Sequence, residues 1–356
     1  MKIGVNARAF SVSEPGGAVQ SAVRLTTELI ENTDHEVLLF GSKNLSRKFN
    51  ISVNSGGWLD NQIWGLFWER TVLPRVAIKS DIDVLYCPNG NAPLHDTEIP
   101  VVMCLHDINA KKGMSSGIHG LYRQLTVPHA TRNCDAVVTV SKFSRDEIVQ
   151  NLPAQPGDVH IIYNGINEFY LSDGGSDPID LPPDYILYVG AMNPRKNVHR
   201  LVEAYEFIND QIPHKLVLIG PQNKSIFKEL DLGNLSQDIL TPGYVPEKKL
   251  KYAYENAAAF IYPSLYEGFG LPPLEAMACG TPVVASNIDC FSEILGDSAA
   301  LVDPYCPESI GEGITQLIKD EERADTLRRR GRERVRDFTW KRTRERLINV
   351  FVQLIY

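Results

Sequence analysis

Short apolar segments rich in β-branched residues alternate along this chain with segments of helix length, and this alternation constrains the fold most strongly. Hydrophobicity is continuous within each short segment, which is typical of strands buried on both faces of a parallel sheet. The strand-length segments are residues 1–7, 36–42, 83–89, 100–107, 135–141 and 160–165, then 185–192, 214–220, 258–264, 281–286 and 299–303. Helical patterns between them, such as 18–31 and 197–210, predict a doubly wound α/β fold.

A stretch rich in Gly, Pro, Ser and Asp divides these segments into two sets. Residues 171–184 read LSDGGSDPIDLPPD, a composition that favours turns over regular structure. The 356 residues also exceed the usual size of one domain. The sequence therefore predicts two Rossmann-like domains, residues 1–174 and 175–338, that face each other across a cleft. Ligands of such sheets bind at the carboxyl ends of the strands.

Charge, cysteine content and hydropathy narrow the class of protein. The formal net charge of −8 argues against nucleic-acid binding, which needs a basic surface. The six cysteines are scattered without a C-x-x-C pair, which predicts reduced thiols and no zinc site. Neither a signal peptide nor an apolar run long enough to span a membrane is evident. We expect a cytoplasmic protein.

The segment from Arg323 to Arg346 carries eleven Arg or Lys residues against four Asp or Glu. The ordinary interpretation is a pair of solvated helices. The alternative is a basic face that contacts an anionic membrane or a phosphate-bearing acceptor. In that case the protein would sit peripherally at the inner face of the membrane.

The segment 266–286, YEGFGLPPLEAMACGTPVVAS, carries the most informative pattern. A glycine-containing loop leads from an apolar strand into a helix whose first turn accommodates Pro272 and Pro273, and Gly280 is suited to end it in a left-handed conformation. Such a helix N-terminus favours a phosphate. Glu275, expected in the first turn, is suited to accept two hydrogen bonds from a vicinal diol such as a ribose. Glu267 on the loop would point to the group attached to that phosphate.

Seven residues separate Glu267 from Glu275, and this spacing resembles the E-x7-E signature of the family-4 retaining glycosyltransferases of the GT-B superfamily. The surrounding GFGLPPLEAMACGTPVV is similar to that family along its whole length. The resemblance implies that Glu275 binds the nucleotide ribose and that Glu267 contacts the donor sugar. It also implies that the loop backbone meets the sugar hydroxyls and the phosphate, through Gly268, Phe269, Gly270 and Leu271.

A second motif lies in YVGAMNPRKNVHRLVEAY, residues 188–205, where Arg195 and Lys196 precede a helix. Fixed cations stabilise the charge that develops on a departing diphosphate, so no metal cofactor is expected. In the family, the arginine and lysine at these positions bind the donor diphosphate. The resemblance thus places Arg195, Lys196 and Glu267 among the catalytic residues.

Two weaker features lie in the first half. Gly16 and Gly17 come between the first strand and a helix, where the family has a comparable glycine turn that would approach the donor. His106 ends an apolar strand; it is either a core histidine held by one hydrogen bond or, as the family pattern implies, a catalytic group near the donor sugar. Ser141 is predicted to cap the following helix.

Asp81 and Asp83 match the D-x-D pattern of metal-dependent transferases. They directly precede an apolar strand, however, and would lie at its amino end, so we interpret them as part of a turn and predict no metal site.

The resemblance extends over essentially the whole chain. It implies that a final helix, residues 339–356, returns to the first, acceptor-binding domain, and that residues 175–338 bind the donor. The implied activity is sugar transfer, with retained anomeric configuration, from a nucleotide-sugar to a carbohydrate or lipid-linked acceptor in the synthesis of surface polysaccharide or glycoconjugate. GDP-mannose is the first expected donor, because the LPPLEAMA loop resembles mannosyltransferases, and a UDP-sugar is the next.

Two alternatives remain open on the same scaffold. One is a nucleotide-sugar epimerase or hydrolase, and the other is a non-catalytic nucleotide-binding subunit. A nicotinamide enzyme is disfavoured because no strand is followed by G-x-G-x-x-G.

Overall fold

The chain forms two compact units, each with its own parallel sheet. The computed structural model describes residues 1–11, 16–55, 62–109, 117–221 and 236–356. Unit 1 comprises Met1–Gly165 and Trp340–Tyr356, and unit 2 comprises Ile166–Thr339. The chain therefore passes between the units twice.

Unit 1 is built on a seven-stranded sheet in the order β3-β2-β1-β4-β5-β6-β7, with every ladder parallel. Its strands are β1 Lys2–Asn6, β2 Glu36–Phe40, β3 Val53–Asn54, β4 Val84–Cys87, β5 Val101–Leu105, β6 Ala136–Thr139 and β7 Val159–Ile161. Its helices are α1 Gly17–Glu31, α2 Leu45–Phe49, α3 Gln62–Lys79, α4 Gly117–Asn133 and α5 Lys142–Asn151, joined by the C-terminal helix described below. The strand order reverses between β1 and β4.

Unit 2 repeats this plan with a six-stranded parallel sheet in the order β10-β9-β8-β11-β12-β13. Its strands are β8 Tyr185–Val189, β9 Lys215–Ile219, β10 Ile239–Gly243, β11 Ala259–Tyr262, β12 Val283–Ser286 and β13 Ala300–Val302. Its helices are α6 Glu168–Leu171, α7 Val198–Glu206, α8 Glu247–Glu255, α9 Leu271–Ala278, α10 Asp289–Ile294, α11 Pro307–Lys319 and α12 Glu321–Arg334. The order reverses between β8 and β11, and the predicted doubly wound α/β class is confirmed for both units.

The last helix, α13 (Trp340–Ile355), belongs to unit 1, as the sequence implied. Its Trp340, Leu347 and Phe351 are buried in the same core cluster as the inner face of α1. The ring of Phe351 meets Tyr86 of β4 edge-on, with 5.7 Å between centroids.

The boundary between the units lies nine residues before the predicted one, because Gly165 and not residue 174 ends unit 1. The fully buried Lys251 of α8 causes this shift. Its Nζ donates hydrogen bonds to the carbonyls of Phe169 (2.8 Å), Ser172 (2.6 Å) and Gly174 (2.7 Å). These bonds hold the segment on unit 2, although residues 172–184 do lack regular structure, as predicted.

Most of the basic side chains of α12 are paired within unit 2. Arg328 contacts Glu321 and Asp325 at 2.6 Å, and Arg330 contacts Asp297 at 3.1 Å. This pairing favours the solvated-helix interpretation for α12. Among the residues that the structure describes, no helix combines the length and the apolar composition needed to cross a membrane.

Candidate functional site

The sequence-predicted donor residues of unit 2 lie on two loops that leave neighbouring strands. One loop follows β8 and carries Arg195 and Lys196, and the other follows β11 and carries Glu267. These strands flank the point at which the strand order reverses. In open α/β sheets, ligands bind beside the carboxyl ends of the strands at this point.

Asn197 joins the two loops and fixes the turn that presents the cations. It adopts a left-handed conformation (φ 60°) between the 3₁₀ turn Pro194–Lys196 and helix α7. Its fully buried side chain donates hydrogen bonds to the carbonyls of Pro263 (3.0 Å) and Pro304 (2.6 Å). Asparagine tolerates this backbone conformation better than most residues with a side chain. The position of the cations is therefore set by the buried amide next to them.

Glu267 binds both cations. Its Oε1 lies 2.5 Å from Nζ of Lys196, and its Oε2 lies 3.1 Å from the Arg195 guanidinium. Lys196 also donates to the hydroxyl of Tyr262 (2.5 Å), and Arg195 donates to the carbonyl of Tyr266 (2.7 Å). The motif spacing did not predict this direct pairing, nor the part played by Tyr262.

The two cations keep Glu267 ionised despite its burial. Burial raises the pKa of Glu267, but the charges of Lys196 and Arg195 outweigh it and hold the pKa below its ordinary value. Two positive groups thus face one carboxylate, which leaves a surplus positive charge at the carboxyl edge of the sheet. Such a surplus favours an anionic ligand.

Helix α9 begins directly after the Glu267 loop, as predicted. Gly270 is its N-cap with φ 92° and gives no side-chain cap, and Pro272 and Pro273 lie in the first turn. An N-terminus without a side-chain cap is suited to an anion. Gly280 has φ 80° and ends the helix in the left-handed conformation, so that prediction is confirmed.

Glu275 is the fifth residue of α9, so its predicted place in the first turn is wrong. The first turn begins at Leu271, one residue after the left-handed Gly270, and Glu275 falls in the second. The side chain is half-buried, and its Oε2 accepts a hydrogen bond of 3.1 Å from the hydroxyl of Tyr254. Tyr254 was not predicted from the sequence, because a tyrosine at an apolar helical position indicates only core packing.

His106 and the Gly16-Gly17 pair belong to unit 1. Gly16 is the N-cap of α1, and a Cβ added at either glycine would meet no described atom within 4 Å. His106 follows β5, and its Nε2 lies 3.6 Å from Sγ of Cys104. Burial lowers the pKa of His106, although the Asp107 charge and a bond to the Pro88 carbonyl oppose the shift. The imidazole is therefore neutral at pH 7.

The side chain of His106 lines a small cavity of unit 1 together with Ser21, Asn164 and Thr343. These polar neighbours come from α1, the segment after β7 and α13. A neutral imidazole that borders a cavity is compatible with both interpretations of His106. It can be a core histidine held by one hydrogen bond, or it can be a group that lies near a substrate.

The remaining predictions are of local structure. Ser141 caps α5, since its Oγ accepts the N–H of Ser144 at 3.0 Å. Asp81 has φ 54° and Asp83 accepts the N–H of Lys2 at 2.6 Å, which places both in a turn before β4. Within the described ranges, no three His, Cys, Asp or Glu side chains are grouped as a metal site requires.

Two family models match adjacent parts of the chain. The model of Glycosyltransferase Family 4 matches residues 15–168, and the model of Glycosyl transferases group 1 matches residues 175–334. Together they cover both units and both motif regions.

Three mannosyltransferases match the chain at 26% to 31% identity. The O-antigen chain mannosyltransferase RfbU of Salmonella typhimurium is 31% identical over 252 residues, which are 68% of this chain and 67% of that protein. The O-antigen chain mannosyltransferase B of Escherichia coli is 31% identical over 246 residues, 65% of this chain and 64% of that protein. The chain spans only 29% of the serotype-specific mannosyltransferase WbdA, also of Escherichia coli.

Solved structures show the same fold. Anabaena HepE, in complex with UDP and glucose, superimposes with a TM-score of 0.76 at 19% identity and covers 99% of this chain and 100% of its own. Sucrose-phosphate synthase from Thermosynechococcus elongatus gives a TM-score of 0.76 at 20% identity, over 99% and 98% of the two chains. The two parallel-sheet units thus have the GT-B fold.

Proposed function

Because this chain belongs to glycosyltransferase family 4, we propose that it transfers a sugar from a nucleotide-sugar donor to an acceptor hydroxyl, with retained configuration. The observation that carries the proposal is the cluster of Lys196, Arg195 and Glu267 at the reversal point of the unit 2 sheet. Surplus positive charge beside an uncapped helix N-terminus suits a diphosphate, and a carboxylate beside it suits sugar hydroxyls.

Each residue has a separate task in the proposed reaction. The bond between the anomeric carbon and the diphosphate breaks, and Arg195 and Lys196 stabilise the charge that the leaving group gains. Glu275 accepts the ribose hydroxyls, and Glu267 orients the sugar. The acceptor oxygen attacks from the face that the diphosphate leaves and gives its proton to that diphosphate, because no side chain is assigned as a covalent nucleophile. His106 would lie near the reacting carbon.

The names of the relatives favour mannose as the sugar, since two that are 31% identical are O-antigen chain mannosyltransferases, and GDP-mannose is the donor that we propose first. A UDP-sugar is the next candidate, because the HepE structure contains UDP and glucose. We propose a carbohydrate or lipid-linked hydroxyl as the acceptor, bound by unit 1, in the synthesis of a surface polysaccharide or glycoconjugate.

We also propose that the reaction needs no divalent metal, since Arg195 and Lys196 supply the cations that a metal would otherwise provide. Turnover should persist after exhaustive chelation. A complete loss that magnesium or manganese restores would contradict this part of the proposal.

A peripheral membrane contact, if the protein acts at the inner face of a membrane, is assigned here to α13 rather than α12. Lys341 and Arg346 are exposed on α13, whereas four arginines of α12 pair with acidic side chains. Exposed cations bind anionic lipid headgroups in a salt-dependent manner. Co-sedimentation with vesicles containing anionic lipid, abolished by salt, would support the contact, and its absence at low salt would refute it.

Replacing the two cations tests the proposed reaction. Arg195→Met and Lys196→Met should each lower turnover with the donor by roughly 10²- to 10³-fold, the usual loss for a preorganised charge contact. Lys215→Met is the matched control, because Lys215 lies on β9 and pairs with the exposed Asp238. If both site variants keep near wild-type turnover, the donor site is placed wrongly.

The products of the same assay separate the alternatives. A transferase yields a glycosylated acceptor, a hydrolase yields free sugar without acceptor dependence, and an epimerase returns an isomeric nucleotide-sugar. A non-catalytic subunit binds the nucleotide and yields none of them.

A further inference from the structure

Tyr254 is a buried tyrosine held rigidly in the middle of unit 2. Its ring meets Tyr170 of α6 and Phe260 of β11 edge-on, with centroids 6.0 and 5.4 Å away. Its backbone carbonyl accepts a hydrogen bond of 2.5 Å from the hydroxyl of Thr281. The ring therefore has little rotational freedom, and the position of its hydroxyl is fixed.

That hydroxyl is the hydrogen-bond donor to the Glu275 carboxylate. It lies 3.1 Å from Oε2, and Glu275 remains partly exposed. Burial, together with the Glu275 charge, raises the pKa of Tyr254 well above its ordinary value, so the phenol keeps its proton. A carboxylate has about four acceptor positions, so one bond from Tyr254 leaves room for two from a ligand.

We propose that Tyr254 is the positioning residue of the ribose subsite: its hydroxyl fixes the plane of the Glu275 carboxylate so that both oxygens can accept the two ribose hydroxyls. The proposal rests on the proposed function, in which Glu275 binds that ribose. Preorganising an acceptor removes the entropy loss of ordering it when the ligand binds.

The same hydrogen bond lowers the pKa of Glu275. Burial raises the pKa of Glu275 to about 7, the bond from Tyr254 opposes that rise, and the Glu247 charge adds to it. The titratable groups that interact with this carboxylate come from α8, α6 and the end of α9, and they are Tyr254, Glu247, Tyr170 and Cys279. Loss of the Tyr254 hydroxyl therefore moves the pKa of Glu275 further upward.

The direction of the pH effect follows from the ligand. A protonated Glu275 accepts the ribose diol poorly, so affinity for a nucleoside diphosphate falls as the pH falls through the pKa of Glu275. In Tyr254→Phe this pKa is higher, so the fall begins at a higher pH. At pH 9 the carboxylate is ionised in both proteins, so the affinity of the variant should recover only in part, because the plane of the carboxylate is no longer fixed.

The experiment is calorimetric titration of the full-length protein with GDP and with UDP from pH 6 to pH 9, using whichever binds the wild type. Tyr254→Phe should bind about tenfold more weakly at pH 7 and still about threefold more weakly at pH 9, where only the loss of positioning remains. Its preference for the ribonucleotide over the 2′-deoxy nucleotide should also shrink at pH 7. Tyr254→Phe removes one oxygen and retains the ring contacts.

Tyr185→Phe is the matched control. Tyr185 is equally buried in unit 2, and its hydroxyl donates to the carbonyl of Ala253 (2.8 Å) rather than to a carboxylate. This variant should follow the wild-type pH profile throughout. Full recovery of Tyr254→Phe at pH 9, which would leave only an effect on the pKa of Glu275, or no loss at any pH, would overturn the positioning role.

Glu275→Gln, measured alongside, separates this inference from the proposed function. If Glu275→Gln leaves nucleotide affinity unchanged, the ribose subsite itself is wrong, and the positioning role falls with it. If Glu275→Gln weakens binding while Tyr254→Phe does not, only the positioning role is wrong.

Discussion

The Lys196–Glu267 ion pair joins two loops that lie 71 residues apart in sequence. Glu267 also pairs with Arg195, so its carboxylate contacts both of the cations that are proposed to bind the donor diphosphate. A diphosphate arriving at this site must share or replace that carboxylate. In the proposed reaction, Glu267 would then leave the cations and contact the sugar.

This competition predicts that removing a site residue increases the affinity for a nucleoside diphosphate. Glu267→Gln keeps the side-chain shape and removes the competing charge, so affinity for a free nucleoside diphosphate should rise about three- to tenfold, on the order of 1 kcal/mol. Turnover should fall, because the carboxylate contact with the sugar is lost. Calorimetry and a turnover assay measure the two effects. Glu206→Gln, at the exposed end of α7, is the control.

The competition would be refuted by weaker or unchanged diphosphate affinity in Glu267→Gln while Glu206→Gln behaves as wild type. A parallel loss of affinity and turnover would mean that Glu267 supports the site structurally instead of occupying it.

Sequence motifs located these residues but not their contacts. The E-x7-E spacing and the Arg195-Lys196 pair identified both loops, since a loop motif is a local property of the chain. The ion pair between Glu267 and Lys196 depends on two strands being neighbours in the sheet, which no spacing specifies. Tyr254 and Tyr262 were missed for the same reason. Tyr254 donates a hydrogen bond to Glu275 on another helix, and Tyr262 accepts one from Lys196 on another loop.

Helix α9 depends on a glycine at its start. Gly270 has φ 92°, and a Cβ there would lie 2.5 Å from the ring of Phe291, which is fully buried. Both the backbone conformation and the space therefore exclude a side chain. The ring of Phe291 in turn packs on Tyr262, so the entry of the helix is tied to the cation site.

Gly270→Ala should destabilise the protein more than Gly296→Ala does. Gly296 also has a positive φ (57°) but no neighbour within 4 Å, so it isolates the backbone strain, about 1 kcal/mol. Gly270→Ala adds overpacking against Phe291, roughly 1–3 kcal/mol more. Denaturant unfolding measures both free energies. Equal destabilisation by the two variants would show that the ring of Phe291 moves aside without a measurable loss of stability.

Strands within a continuous apolar run were predictable, and the two edge strands without such a run were not. Eleven strand segments were predicted from continuous hydrophobicity; ten of them contain an observed strand, and segment 160–165 overlaps β7 (Val159–Ile161). The two missed strands lie at sheet edges: β3 has two residues, and β10 contains Thr241, Pro242 and Gly243. Helix α7 ends at Glu206 instead of residue 210, because residues 207–211 form turns.

The two units of the molecule have the same order of strands around the reversal point, but the proposed function gives them different roles. Arg195, Lys196, Glu267 and Glu275 all belong to unit 2, and the neutral His106 belongs to unit 1. The division into two units was predicted from composition, but the position of the boundary was not. The boundary depends on Lys251, which donates hydrogen bonds to the backbone carbonyls of Phe169, Ser172 and Gly174. Every sequence has backbone carbonyls, so no residue type in this segment indicates these bonds.

Hydrogen–deuterium exchange with and without a saturating nucleoside diphosphate tests the central claim, that unit 2 binds the nucleotide at the carboxyl ends of β8 and β11. The backbone amides of residues 190–198 and 263–278 should exchange more slowly with GDP or UDP bound, because a ligand that binds the folded state suppresses local opening there. Protection confined to unit 1, or absent from both of these segments while the nucleotide binds, would contradict the account.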